Sequence, residues 1–254
     1  MGAGHGHALH FHGHSLIHRL PPHVKILALL GFVLAVVATP RDAFWAHGVH
    51  AAVLLAAVLA SRVPLGYLGK RMVVEVPFVA FAILMPLIAT GPRVEVGPLS
   101  LSEAGLLGAW ALLAKGTLGV VASLLLAATT EARDIIAGFE KLRLPRPLVE
   151  IMSFMLRYTE VVSGELARMR IARESRGFRA RSVRQWPALG STLGALFIRS
   201  YERGERVHLA MLSRGYAGHL PTLRPLTSTG AQWAVGGILP LLAVAVCLVA
   251  VVAR

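Results

Sequence analysis

Cysteine is all but absent. Cys247 stands alone, so neither a disulfide framework nor a thiolate metal site can form within one chain. Charge is scarce as well, at 15% of residues against 55% hydrophobic, with a mean hydropathy of +0.63. That balance is too apolar for an ordinary soluble domain and fits a chain whose solvent is lipid. Acidic residues are half as numerous as basic ones, 13 against 26, for a net charge of +13. In a soluble protein this excess would suggest nucleic acid. Here it concentrates in one segment between hydrophobic runs, which indicates membrane topology and leaves no role for a nucleic acid partner.

Several motifs are missing too. Gly66-Tyr67-Leu68-Gly69-Lys70 has neither the spacing nor the Ser/Thr of a phosphate-binding loop, so the chain is not expected to bind ATP itself. There is no His-Glu-x-x-His, and no His-x4-Asp-His of the kind that resembles stand-alone nickel/cobalt permeases. Mid-span carboxylates, which proton- or sodium-driven transporters generally need, are not evident, since Glu75 falls near the edge of a hydrophobic run. Ser123 has no neighbouring base, which argues against an intramembrane enzyme. No convincing cleavage site follows the first apolar run, so no signal peptide is expected.

Five hydrophobic runs are present: roughly Val24–Ala38, Phe44–Ala60, Val73–Thr90, Ala104–Thr129 and Trp233–Ala253. Crossing about 30 Å of hydrocarbon takes ~17–25 residues, which the first run reaches only if it begins near Leu20. Thr39-Pro40-Arg41-Asp42, Gly91-Pro92-Arg93 and Gly97-Pro98 read as turns. Between the fourth and fifth runs, residues 131–230 carry 17 Lys and Arg against 9 Asp and Glu. Basic residues collect in cytoplasmic loops, so this insert and the N-terminus are expected inside and Arg254 outside a bacterial inner membrane. The expected division is a histidine-rich tail (1–23), a four-span bundle (24–130), a cytoplasmic insert (131–230) and a last span (231–254). The fold class is an all-α membrane protein with about five transmembrane helices and long amphipathic cytoplasmic helices.

Within the insert, Leu148, Ile151, Met155, Tyr158, Val162, Leu166 and Met169 recur in steps of three and four, predicting an amphipathic helix over Leu148–Arg176. A second is predicted over about Trp186–Arg214, with Leu189, Leu193, Leu196, Phe197, Val207 and Met211 inward. A shorter segment, Glu131–Leu142, precedes them. Neither long helix is apolar enough to span, so each must lie on the membrane or on a partner. Both end alike, in Ser175-Arg176-Gly177 and Ser213-Arg214-Gly215. One such ending is an ordinary helix cap, with glycine in the left-handed position and arginine beside the negative end of the dipole. Two copies in one insert point further. An arginine at a helix tip suits an acidic groove on another protein.

These residues carry a resemblance. With His18–Lys25 before the first run, Thr129-Thr130 after the fourth, the Leu144-Pro145 break and Arg157-Tyr158, the two Arg-Gly endings resemble the transmembrane T component of energy-coupling-factor importers, of the CbiQ type. The family's usual triplet is Ala-Arg-Gly; serine, also small, replaces the alanine here. The resemblance implies coupling helices that contact two ATPase subunits, with Ser175, Arg176, Gly177, Ser213, Arg214 and Gly215 at the contacts. It further implies a substrate-binding membrane subunit, a possible small accessory membrane subunit, and cobalt or nickel as the transported ion. ATP would sit on the partners, and this chain would hold no cofactor. A self-sufficient metal permease is the competing reading, and it requires intramembrane ligands. His47 and His50 are two without a third, and Lys115 is expected to face a partner or snorkel outward. Seven histidines precede Val24; among them His10, His12 and His14 are weak candidates for metal handling.

Overall fold

A computed structural model describes residues 11, 13, 15–90, 92–96, 99–178, 186–218 and 227–253, with the backbone alone over 93–96 and 99–101. His10, His12 and His14 lie outside the described residues. The chain runs α1 (Pro22–Ala38), α2 (Phe44–Ser61), α3 (Leu65–Gly69), α4 (Val76–Ile88), β1 (Arg93–Val96), β2 (Leu99–Ser102), α5 (Glu103–Thr129), α6 (Ala132–Lys141), α7 (Arg146–Ser175), α8 (Trp186–Leu212) and α9 (Gly230–Val252).

Two prolines set where α1 begins. Pro22 takes the first helical position, where an N–H would have no partner anyway. Thr39 turns extended before Pro40, which ends the helix. The resulting 17 residues reach about 25 Å, short of the ~30 Å hydrocarbon layer. Phe44–Ser61, Leu65–Ile88, Glu103–Thr129 and Gly230–Val252 are long and apolar enough to cross. The third of these is not one continuous helix. α3 gives way to a 3-10 turn over Met72–Glu75, and α4 follows with a proline in its first turn and Pro86 inside.

One compact unit comprises Leu9–Lys141 with Leu226–Arg254. In it α1 lies against α9, α5 and α6, α2 against α9 and α5, and α4 against α5. Close approach of α1 to α9 depends on Gly31, where a Cβ would come within 2.9 Å of the Pro240 ring. Gly105 plays the same part between α5 and α4, since a Cβ there would sit 2.7 Å from the Pro86 Cα. Phe32 and Val36 of α1, Leu54 and Val58 of α2, Leu118, Ala122 and Leu125 of α5, and Ala243 of α9 fill the core. Cys247 packs among them as a small apolar residue. The second unit comprises Leu142–Pro225 and holds α7 and α8.

The structure departs from the sequence-based expectation in two places, the β1–β2 segment and Glu75. Arg93–Val96 pairs antiparallel with Leu99–Ser102, Arg93 opposite Ser102 and Val96 opposite Leu99, where strands were not expected. The compact units divide at Leu142, because α6 packs on α1. Glu75 is buried at 6% exposure and accepts a hydrogen bond from Thr117 near the middle of α5, where an interfacial position was expected. Lys115 has a partner within the chain. Its ammonium donates to the Val37 carbonyl at 2.7 Å, one of the unpaired carbonyls in the last turn of α1.

Candidate functional site

α7 and α8 follow the predicted helices to within two residues at each end. Proline opens α7 at its first turn, and no proline or glycine run interrupts it before Ser175. Three side-chain ties join the two helices. Glu150, near the start of α7, accepts from the Tyr216 hydroxyl just beyond α8. Glu165 accepts from Arg199 at 2.6 Å, and Arg173 donates to the Thr192 hydroxyl at 3.1 Å. As the α7 number rises the α8 number falls, so the helices run antiparallel. Arg176 and Arg214 therefore lie at opposite ends of the pair. The 26 residues from Glu150 to Arg176 put about 40 Å between those ends at 1.5 Å per residue.

Both ends are built the same way. After α7, the Phe178 N–H donates to the Arg173 carbonyl at 3.2 Å and the Gly177 N–H to the Glu174 carbonyl at 3.0 Å. After α8, Tyr216 N–H donates to Met211 and Gly215 N–H to Leu212, each at 3.0 Å. These are two Schellman caps, and each needs a left-handed residue. Gly177 has φ +76° and Gly215 has φ +83°. The serines are accounted for locally. Ser175 Oγ donates to the Ala172 carbonyl at 3.0 Å and Ser213 Oγ to Leu209 at 2.7 Å. The arginines differ from them. Arg176 and Arg214 are both exposed, and among the described residues no carboxylate pairs with either. Each cap thus leaves one guanidinium free at the tip of a long helix.

Ion pairs and hydrogen bonds line the crossing between the tips. The Arg168 hydrogen bond, then that of Arg199, holds the Glu165 carboxyl below its ordinary range. Its hydrogen bond to Glu150 pushes the Tyr216 phenol up. The apolar faces are left open. Leu193 and Phe197 of α8, expected inward, are at least half exposed, as are Leu148, Ile151 and Met155 of the α7 stripe. Among the apolar residues of α8 only Leu196 is buried. These stripes await another surface.

Elsewhere, the sequence features matched before α1 and after α5 prove to be one structure. The Lys25 ammonium donates to the Thr129 carbonyl at 2.7 Å, to Thr130 Oγ1 at 3.0 Å and to the His18 carbonyl at 3.4 Å. It neutralises the carbonyl end of α5 and fastens the N-terminal segment to it. Sequence reasoning found the two halves of this tie separately but carried no signal that they meet. Among the described residues, no three of His, Cys, Asp and Glu gather as a metal cluster. His47 Nδ1 meets the Ala43 carbonyl and His50 Nε2 the Thr39 hydroxyl, so both imidazoles have local roles.

A family model described as CbiQ, cobalt transport protein, matches residues 13–223, which takes in the Lys25 tie and both arginine caps. The chain belongs to this family. The energy-coupling factor transporter transmembrane protein EcfT of Bacillus selenitireducens is 31% identical over 222 residues, 81% of each chain. The cobalt transport protein CbiQ of Rhodobacter capsulatus is 29% identical over 207 residues, 80% of this chain and 82% of that one. An uncharacterised protein of Methanocaldococcus jannaschii is 32% identical over 115 residues, 45% of this chain and 43% of that relative. With its long apolar helices, this CbiQ-family chain is a multi-pass membrane protein and a transmembrane component of a transporter.

Proposed function

We propose that the chain is the energy-coupling component of an ATP-driven importer of cobalt or nickel. Two separate ATPase subunits bind ATP, and each grips one arginine-tipped helix end. A substrate-binding membrane subunit, together with a small accessory one where present, holds the ion and is moved by α7 and α8. The observation that carries this reading is the duplicated cap: two free guanidinium groups at opposite ends of one antiparallel, cross-tied pair. A single tip would serve one partner. Two equivalent tips about 40 Å apart suit two copies of the same partner. Nearly every tie along the pair is polar or charged, so closure of the ATPases would move α7 and α8 as a lever. Their half-exposed apolar stripes supply the surface that the moving membrane subunit would rest on. No residue of this chain is assigned to catalysis or to holding the ion.

The test is purification of the tagged chain from its own cells. Two ATPase subunits per chain should co-purify, and cobalt or nickel should stimulate their hydrolysis. A chain that carries metal across vesicles unaided would overturn the proposal.

Orientation belongs to the same reading. The N-terminus and the α7–α8 unit lie on the cytoplasmic side of the inner membrane, and the β1–β2 hairpin outside. In a Cys247→Ala background, a membrane-impermeant thiol reagent should label Arg93→Cys in intact cells and leave Arg179→Cys unlabelled. Labelling at Arg179→Cys would reverse the topology.

A further inference from the structure

An open groove of about 360 Å³ lies in the membrane unit between α1, α2, α5 and α9. That volume falls within the ~300–1,000 Å³ typical of ligand sites. Its walls are apolar except for Lys25 and Thr129. Small side chains create the space. Ala56, Ala57 and Ala60 on α2 and Ala122 on α5 all line it. Ala56 and Ala60 remain exposed, so the chain itself does not close the mouth.

The rim is polar in one respect. Leu16, Ile17 and Leu20 line the groove from the segment before α1, and Arg19 is exposed on that same segment. The three donors of Lys25 are spent on protein oxygens, so it contributes charge alone. Among the described residues no carboxylate lies within salt-bridge distance of Arg19 or Lys25. The site therefore combines an apolar slot with the buried Lys25 ammonium in its wall, near Asp134, and the exposed Arg19 on the segment that lines one end.

We propose that this groove binds a single anionic phospholipid, with one acyl chain in the slot between α2 and α5 and the headgroup phosphate at Arg19. An apolar slot offers water too few hydrogen-bond partners to fill it. In a bilayer the apolar ligand at hand is an acyl chain. Cations between helices near a membrane interface select anionic headgroups, and the guanidinium fork matches phosphate oxygens. The inference is independent of the coupling role and would stand or fall without it.

Native mass spectrometry of the full chain, alone and in its transporter complex, tests the idea with added phosphatidylglycerol or phosphatidylcholine. One phosphatidylglycerol per chain should survive mild activation in both preparations, and phosphatidylcholine should be lost first. Ala56→Phe with Ala60→Phe fills the slot at two exposed positions and should abolish retention. Arg19→Ala leaves the slot intact and should weaken phosphatidylglycerol about fivefold, the effect of one interfacial charge, and phosphatidylcholine, whose phosphate is offset by its own choline, by less. Equal retention of the two lipids, or full retention in both variants, overturns the proposal. So does a lipid held by the isolated chain but missing from the complex, because a partner helix would then own the groove.

Discussion

With Arg176 and Arg214 both replaced by alanine, the chain is expected to reach the membrane at wild-type levels, to lose its ATPase subunits on purification, and to support no metal uptake. The caps themselves should persist. Their hydrogen bonds run between backbone groups, and their conformation rests on Gly177 and Gly215. Losing a charge at a helix end costs only ~0.3–1 kcal/mol. A guanidinium docked in an acidic groove is worth more, since truncating one partner of a buried charge pair costs about 2–5 kcal/mol of binding. That is a loss of roughly thirtyfold to several thousandfold in affinity at each tip. Single replacements should give partial uptake, each leaving one grip intact. Lysine should rescue in part, because it lacks the bidentate fork. Ser175→Ala with Ser213→Ala is the contrasting control. Both hydroxyls are spent on carbonyls of their own helices, so binding and uptake should stay near wild type. Wild-type ATPase retention in the double arginine variant would reduce both triplets to ordinary helix ends.

Replacing Lys25 with methionine should destabilise the membrane unit by about 2–4 kcal/mol. Methionine fills similar volume, but it leaves the Thr129 carbonyl and Thr130 hydroxyl without their donor. Thr129 and Thr130 are 3% and 4% exposed, so solvent cannot replace it. The carbonyl end of α5 also loses its only described cation contact. The midpoint of thermal unfolding in detergent should fall by about 5–10 °C. The His18 tie goes with the ammonium, so the segment before α1 should loosen first. Limited trypsin treatment should then cut after Arg19 well before it does in the wild type. An unchanged midpoint and an unchanged cutting rate would show that the tie is incidental.

The sequence by itself determined the helices. Apolar runs of near-spanning length, the three- and four-residue stripes of α7 and α8, and the punctuation by Pro22, Pro145, Gly177 and Gly215 are local signals, and local signals set where a helix starts, which face is apolar and where it stops. It also marked the duplicated Ser-Arg-Gly ends, because a repeat is visible without coordinates. What it could not determine depends on contacts between distant positions. Lys25 meets Thr129 across 104 residues and Glu150 meets Tyr216 across 66. No spacing rule links such pairs, since they meet only once helices have packed. Lys115 illustrates the consequence. Read alone, a cation in a hydrophobic run must face a partner or snorkel outward, and only packing shows that the end of α1 supplies a contact. Glu75 illustrates the converse, because the break between α3 and α4 carries it inward to Thr117. The antiparallel pairing of α7 with α8 was equally hidden. Periodicity defines a face on each helix but not the direction of its neighbour, and that direction is what sets the two arginine tips at opposite ends.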